Sequence, residues 1–169
     1  MYYNTPMDYL PLLPTYLHTF QTEFLPRPIN LKDLATLITT VSLFTLKKKG
    51  ALLIQGNGVV TFLKKVKDGG DSNLEMFLLK QVDVNSVNLV EVVKKIGSAK
   101  IMDLVRADLI AGEVLIPKKN LLGKEELKPS PAKVTLLASQ LPQVKEELEK
   151  LKADHLFLEV FSQTKKAIG

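Results

Sequence analysis

The sequence predicts an α+β, mostly helical fold carrying one small β-hairpin, and three observations support it. Apolar residues recur at three- and four-residue steps along much of the chain, as in Leu89, Val92, Val93 and Ile96, which is the period of amphipathic helices. One stretch departs from that period: "LKKKGALLIQGNGVVTFLKK" at 46–65 sets two apolar runs on either side of Gly-Asn-Gly, the pattern of a tight hairpin. With 169 residues, 46% of them hydrophobic and 24% charged, the chain has ordinary globular composition and enough length to bury a real core.

Taken in order, residues 1–28 read as an aromatic arm plus one amphipathic helix, with Leu13, Leu17, Phe20 and Phe24 at helical spacing around Pro14. In "RPINLKDLATLI" Asn30 is placed to cap a helix over 31–38, and Asp33 suits the positive end of its dipole. Thr39 and Thr40 are expected to break that helix and cap a second, "VSLFTLKKKG", whose narrow polar face is Ser42, Thr45 and Lys49. Gly50 ends this second helix as a left-handed cap. A three-residue loop at 56–58 would then pair Gln55 with Val59, Ile54 with Val60 and Leu52 with Phe62, within a hairpin at 51–63. That register puts Leu52, Ile54, Val60 and Phe62 on one purely apolar face; a two-residue Asn-Gly turn would place Thr61 there instead.

"KDGGDSN" at 67–73 is a linker by composition. After it come a helix "NLEMFLLKQ", a turn "VDVNS", a helix "VNLVEVVKKI", a break at Gly97-Ser98, a helix "AKIMDLVRADLIAG" capped by Ser98, and the apolar "EVLIP". The tail opens a helix at Ser130-Pro131, a cap followed by proline at the first helical position. Pro142 is expected to stop or kink that helix. Beyond it Val144, Leu148, Leu151, His155 and Leu158 form a short stripe suited to docking on the parent domain. The organisation expected is thus an arm and helix at 1–28, a unit at 29–68, a second at 74–117 and terminal helices at 130–169.

A helix, a short break, a second helix and an apolar hairpin make up the order by which 31–65 resembles the second half of a winged helix-turn-helix domain. The 74–117 segment looks like a second, more degenerate copy, in which "EVLIPKKNLL" lacks a clean hairpin. The resemblance implies tandem winged-helix-like units flanked by N- and C-terminal helices, a class of unit used in protein assembly and in DNA binding.

Chemistry-bearing motifs are few. There is no cysteine, which excludes thiolate nucleophiles, disulfides and thiolate metal sites. His18 and His155 are the only histidines, and no nucleophile motif accompanies them. The glutamates of "KEEL" (Glu125, Glu126) and "KEELEK" (Glu146, Glu147, Glu149) are interleaved with lysines and read as solvated helix faces. Gly56-Asn57-Gly58 is too short for a dinucleotide fingerprint, and "GKEE" at 123–126 is no phosphate loop. The expectation is a non-enzymatic protein with no metal and no cofactor. The nearly uncharged run at 34–46 falls short of the roughly 20 apolar residues of a membrane span, and "MYYNTPMDYLPLLPTYLHTF" lacks the form of a signal peptide. A cytoplasmic setting is expected.

Net charge is +5, yet only Arg27 and Arg106 are arginine, so the forked guanidinium that reads guanine is scarce. Pairing of Leu52 with Phe62 would gather Lys47, Lys48, Lys49, Lys64, Lys65 and Lys67 at the hairpin base, while the tip is uncharged. The leading expectation is an interaction or assembly module with a protein partner, or self-association through the terminal helices. The second is a DNA-binding regulator that sets those six lysines on phosphates and Thr39, Thr40, Ser42 and Thr45 toward bases. A membrane-surface protein held by the N-terminal helix ranks third.

Overall fold

A computed structural model of the chain describes residues 31–113 and 115–169. The arm and helix expected at 1–28, the Asn30 cap, His18 and Arg27 lie outside the described residues. Within them the fold is α+β and mostly helical, with a three-stranded antiparallel sheet and a separate two-stranded hairpin.

Helix α1 (Leu31–Lys48) is one unbroken helix, not two. The threonines fail to break it because their hydroxyls stay inside the helix: Thr36 donates to the Lys32 carbonyl at 2.8 Å, Thr40 to Thr36 at 2.8 Å and Thr45 to Val41 at 2.9 Å. A hydroxyl bonded back to the preceding turn needs no cap and no water. Every residue from Ala35 to Leu46 is buried, as befits a helix enclosed on all sides. It ends at Gly50, which has φ of +74°. There Gly50 N–H donates to the Lys47 carbonyl and Ala51 N–H to Leu46, both at 3.0 Å, the paired bonds of a Schellman cap.

The cap turns the chain into β1 (Leu52–Gly56), which pairs with β2 (Thr61–Lys65). The observed register sets Leu52 opposite Lys65, Ile54 opposite Leu63 and Gly56 opposite Thr61, not Leu52 opposite Phe62. Asn57 is the reason for the longer loop: its Oδ1 accepts from Val59 N–H at 2.9 Å and Val60 N–H at 2.8 Å, an Asx turn that makes the loop four residues, 57–60, in place of three. The buried face is therefore Leu52, Ile54, Thr61 and Leu63. Phe62 turns outward.

The glycine-rich stretch is packed. A Cβ on Gly70 would lie 2.7 Å from the Met76 backbone nitrogen. It leads to α2 (Asn73–Gln81), where Ser72 caps by accepting from Glu75 N–H at 3.0 Å. A two-residue strand β3 (Val87–Asn88) then joins the sheet by pairing with Phe62 and Leu63 of β2. Helix α3 (Leu89–Ile96) follows, capped by Asn88, and α4 (Ser98–Ala111) begins directly after Gly97, whose φ is +81°. Gly97, not Ser98, occupies the cap position, and it contributes no side-chain bond.

The 115–129 region closes a clean hairpin, contrary to the expected lack of one: β4 (Leu115–Lys119) pairs with β5 (Glu125–Pro129). "KEEL" is accordingly strand, with Glu125 opposite Lys119 and Glu126 opposite Lys118 in backbone register. Helix α5 (Pro131–Lys152), capped by Ser130, runs through Pro142. The break falls later, at Ala153-Asp154, where Asp154 accepts from Leu156 N–H at 2.9 Å and starts α6 (His155–Ile168). This break divides the expected stripe. His155 and Leu158 are exposed, and Phe157 and Val160 face inward.

Helix α6 lies antiparallel along α1. Phe157 meets Phe44 edge-on with ring centroids 5.2 Å apart, and Lys32 donates to the Gly169 carbonyl at 3.0 Å. Helices α1, α2, α3, α4 and α6 and strands β1 and β2 all contribute apolar side chains to one contiguous core.

Candidate functional site

Two neighbouring surfaces surround the first hairpin. At its base, the Ala51 carbonyl accepts from Val66 N–H at 2.9 Å and Lys67 N–H at 3.4 Å, which draws the end of α1 against residues 66–67. The Cε of Lys67 consequently sits 3.9 Å from where a Gly50 Cβ would be. Two of the six lysines expected here are neutralised. Lys49 bonds to Asp71 at 2.6 Å and Glu75 at 2.7 Å, and Lys65 to Asp68 at 2.7 Å.

Burial of Lys49 by itself favours the neutral amine, but the bonds and charges of Asp71 and Glu75 outweigh it and hold its pKa above the ordinary 10.5. The carboxylate of Glu75 is buried, so this pair ties the end of α1 to the first turn of α2. Lys65 acts oppositely on its exposed partner: its hydrogen bond and charge lower the pKa of Asp68. Lys47 lies with its ammonium 5.2 Å from the Phe44 ring centroid. Lys48, Lys64 and Lys67 are exposed and, among the described residues, have no acidic partner.

The four hydroxyl residues expected to face bases do not reach the surface. Thr39, Thr40, Ser42 and Thr45 are all buried, because the unbroken α1 is the central helix and has no solvent side at those positions. Thr40 and Thr45 are bonded to their own helix, while the hydroxyls of Thr39 and Ser42 have no partner among the described residues.

The second surface is the outer face of the sheet. Alternation along β1 and β2 sends Leu53, Gln55, Phe62 and Lys64 outward. Leu53 is 46% exposed and Phe62 39%, with Val66 continuing the row at 53%. Leu53 faces Lys64 across the pair, and Phe62 is its diagonal neighbour. An apolar stripe thus carries a lysine in its middle and borders the lysines at the base.

The hairpin is held in place from α6. One carboxylate oxygen of Glu159 accepts from Gly58 N–H and the other from the buried Thr61 hydroxyl at 2.9 Å; Gln163 donates to the Val59 carbonyl at 2.9 Å. Gly56 permits the approach, since a Cβ there would fall 1.5 Å from Glu159 Oε2. An open cleft of about 550 Å³ lies beside this clasp, lined among others by His155 and Ser162. The glutamate is committed to the hairpin.

The apolar half of this site is absent from the sequence-based expectation, which put Phe62 in the core. Asn57 was the available signal, through its Asx-turn chemistry. Among the described residues no group of three or more metal-ligating side chains occurs, and no helix is long and apolar enough to cross a membrane. The fold and surface define an α+β, mostly helical protein with a mixed apolar and basic sheet face. Comparison with family models, curated proteins and solved structures returns no match.

Proposed function

We propose that the protein is a non-enzymatic interaction module that binds an acidic, partly apolar segment of a protein partner on the outer face of β1 and β2. The observation that carries this reading is the exposed row of Leu53, Phe62 and Val66 beside Lys48, Lys64 and Lys67, three lysines without acidic partners among the described residues. An aromatic anchor with apolar neighbours and a charged rim is the composition of protein interfaces. Helix α6 is a poorer candidate for self-association, because its Phe157 and Val160 are already spent on the core.

The winged-helix resemblance is read at this level too. The order α2, β3, α3, α4, β4, β5 follows helix, strand, helix, helix, hairpin, with β3 paired to β2 and not to the second hairpin, and α1 with β1 and β2 has the order of a last helix and wing. Units of that kind serve in assembly as well as on DNA.

Capture from native lysate, split with and without nuclease, tests the proposal. A stoichiometric protein partner retained after nuclease and lost from Leu53→Ser/Phe62→Ser, whose melting matches wild type, is the expected result. Binding that disappears with nuclease supports the DNA reading, which the unpaired lysines favour. That reading requires submicromolar duplex binding whose logarithm falls with log salt by about 0.9 per phosphate contacted, and less steeply in Lys48→Ala/Lys64→Ala. Capture indifferent to Leu53 and Phe62 would remove the sheet face as the docking surface.

A further inference from the structure

The second hairpin carries a feature that its own fold does not use. Leu121 and Leu122, adjacent at the tip between β4 and β5, are 106% and 83% exposed. Single exposed leucines are common, but two together at the extremity of an ordered turn leave their whole apolar surface in water.

The turn that presents them is fully organised. Asn120 N–H donates to the Lys124 carbonyl at 2.8 Å, and Asn120 Oδ1 accepts from Leu122 N–H at 2.9 Å and Lys124 N–H at 3.0 Å. Gly123 takes φ of +76° and donates its N–H to the Asn120 carbonyl at 3.0 Å. Four of the five backbone N–H groups from Asn120 to Lys124 are therefore satisfied within the loop, which lowers the cost of moving it out of water.

Lysines flank the tip on both sides. Lys118 and Lys119 precede it, Lys124 follows it, and all three are exposed. At about 3.3 Å per residue, their flexible stems reach back to a phosphate plane while the leucines sit at the acyl boundary. Glu125 and Glu126 stand opposite Lys119 and Lys118 in register, so charge supplies only part of the attraction. Lipid attachment built from two modest terms, apolar insertion and lysines on anionic headgroups, matches that balance.

We infer that the tip of the β4–β5 hairpin is a shallow membrane anchor, in which Leu121 and Leu122 insert into an anionic bilayer and Lys118, Lys119 and Lys124 contact lipid phosphates. This anchor is independent of the sheet face proposed for a protein partner, since β4 and β5 form a sheet of their own.

The chain has no tryptophan, so Leu122→Trp in the full chain gives a single reporter. Vesicles of phosphatidylcholine with phosphatidylserine should shift its emission to the blue and float the wild-type protein; pure phosphatidylcholine vesicles should do so weakly. Leu121→Ser/Leu122→Ser should lower partition at least about tenfold, because half-burial of two leucines exceeds the ~1.4 kcal/mol that a tenfold change represents. Lys119→Gln/Lys124→Gln should lose about fivefold per lysine on the anionic vesicles and nothing on the neutral ones. The side chains altered are exposed, and an unchanged thermal melt checks that the fold persists. Absence of both flotation and blue shift overturns the inference, as does flotation unaffected by the serine pair. A blue shift seen only with a protein partner would overturn it as well and reassign the tip to a protein pocket.

Discussion

Removing the Glu159 carboxylate is the most direct test of how α6 holds the first hairpin. In Glu159→Ala the buried Thr61 hydroxyl loses its acceptor, which was 2.9 Å away. A buried donor left unsatisfied costs about 1–3 kcal/mol. Gly58 N–H loses its acceptor too, but it is exposed and water replaces the bond at small net cost. The sum is about 2 kcal/mol, which in a chain of this size lowers Tm by about 4–8 °C. Differential scanning calorimetry would measure it, and a double-mutant cycle would assign it. Thr61→Val removes the hydroxyl, so in that background Glu159→Ala should cost only about 0.5 kcal/mol. Equal costs in both backgrounds would refute the argument, since they would show that Glu159 stabilises the fold through something other than Thr61.

Two further perturbations probe the ties around α2. Lys49→Met leaves the buried Glu75 carboxylate unpaired, and chemical denaturation should show a loss of about 2–3 kcal/mol at neutral pH, reduced from that of a fully buried pair by the partial exposure of Lys49. Because the folded-state pKa of Lys49 is held above 10.5, its contribution is complete below that pH and disappears as pH rises through the folded value; an alkaline melt should show this decline in wild type and not in Lys49→Met. Asp108, buried on α4, accepts from the N–H groups of Asn73 at 2.7 Å and Leu74 at 3.3 Å and so caps α2 from a distance; Asp108→Ala should cost about 1–2 kcal/mol in urea unfolding. Burial raises the Asp108 pKa above 3.8 against the pull of those two bonds, so its protonated form favours folding below 3.8 and that advantage is lost as pH climbs through the folded value. Asp108→Asn should remove this acid-side slope from the urea midpoints.

Local chemistry was readable where neighbours in sequence decide the structure. Helix α2 has the bounds of "NLEMFLLKQ", the Gly50 cap forms where a left-handed residue was needed, and Ser130-Pro131 opens α5. Thr40 does not break the helix because the same hydroxyl that can cap a helix also bonds to the turn behind it, and burial selects that arrangement; Thr39 is buried beside it with no hydrogen bond among the described residues. The hairpin register failed for a tertiary reason. An all-apolar inner face looked best from the hairpin alone, but Glu159 of α6 supplies an acceptor that makes a buried Thr61 acceptable. That exchange turned Phe62 outward and created half of the candidate site. "KEEL" reads equally as a solvated helix or as a strand whose acids face lysines, and only the partner Lys118-Lys119 decides between them. Of the six lysines expected at the hairpin base, acids at 68, 71 and 75 take two.

The antiparallel seating of α6 on α1 has a consequence for biosynthesis. Phe44 and its neighbours are synthesised more than 100 residues before Phe157, which closes over them. Until then the nascent chain displays an uncovered core, with β1 and β2 lacking the clasp that sets their register. Chaperone engagement during translation is expected to concentrate in this interval and to end once α6 has cleared the exit tunnel.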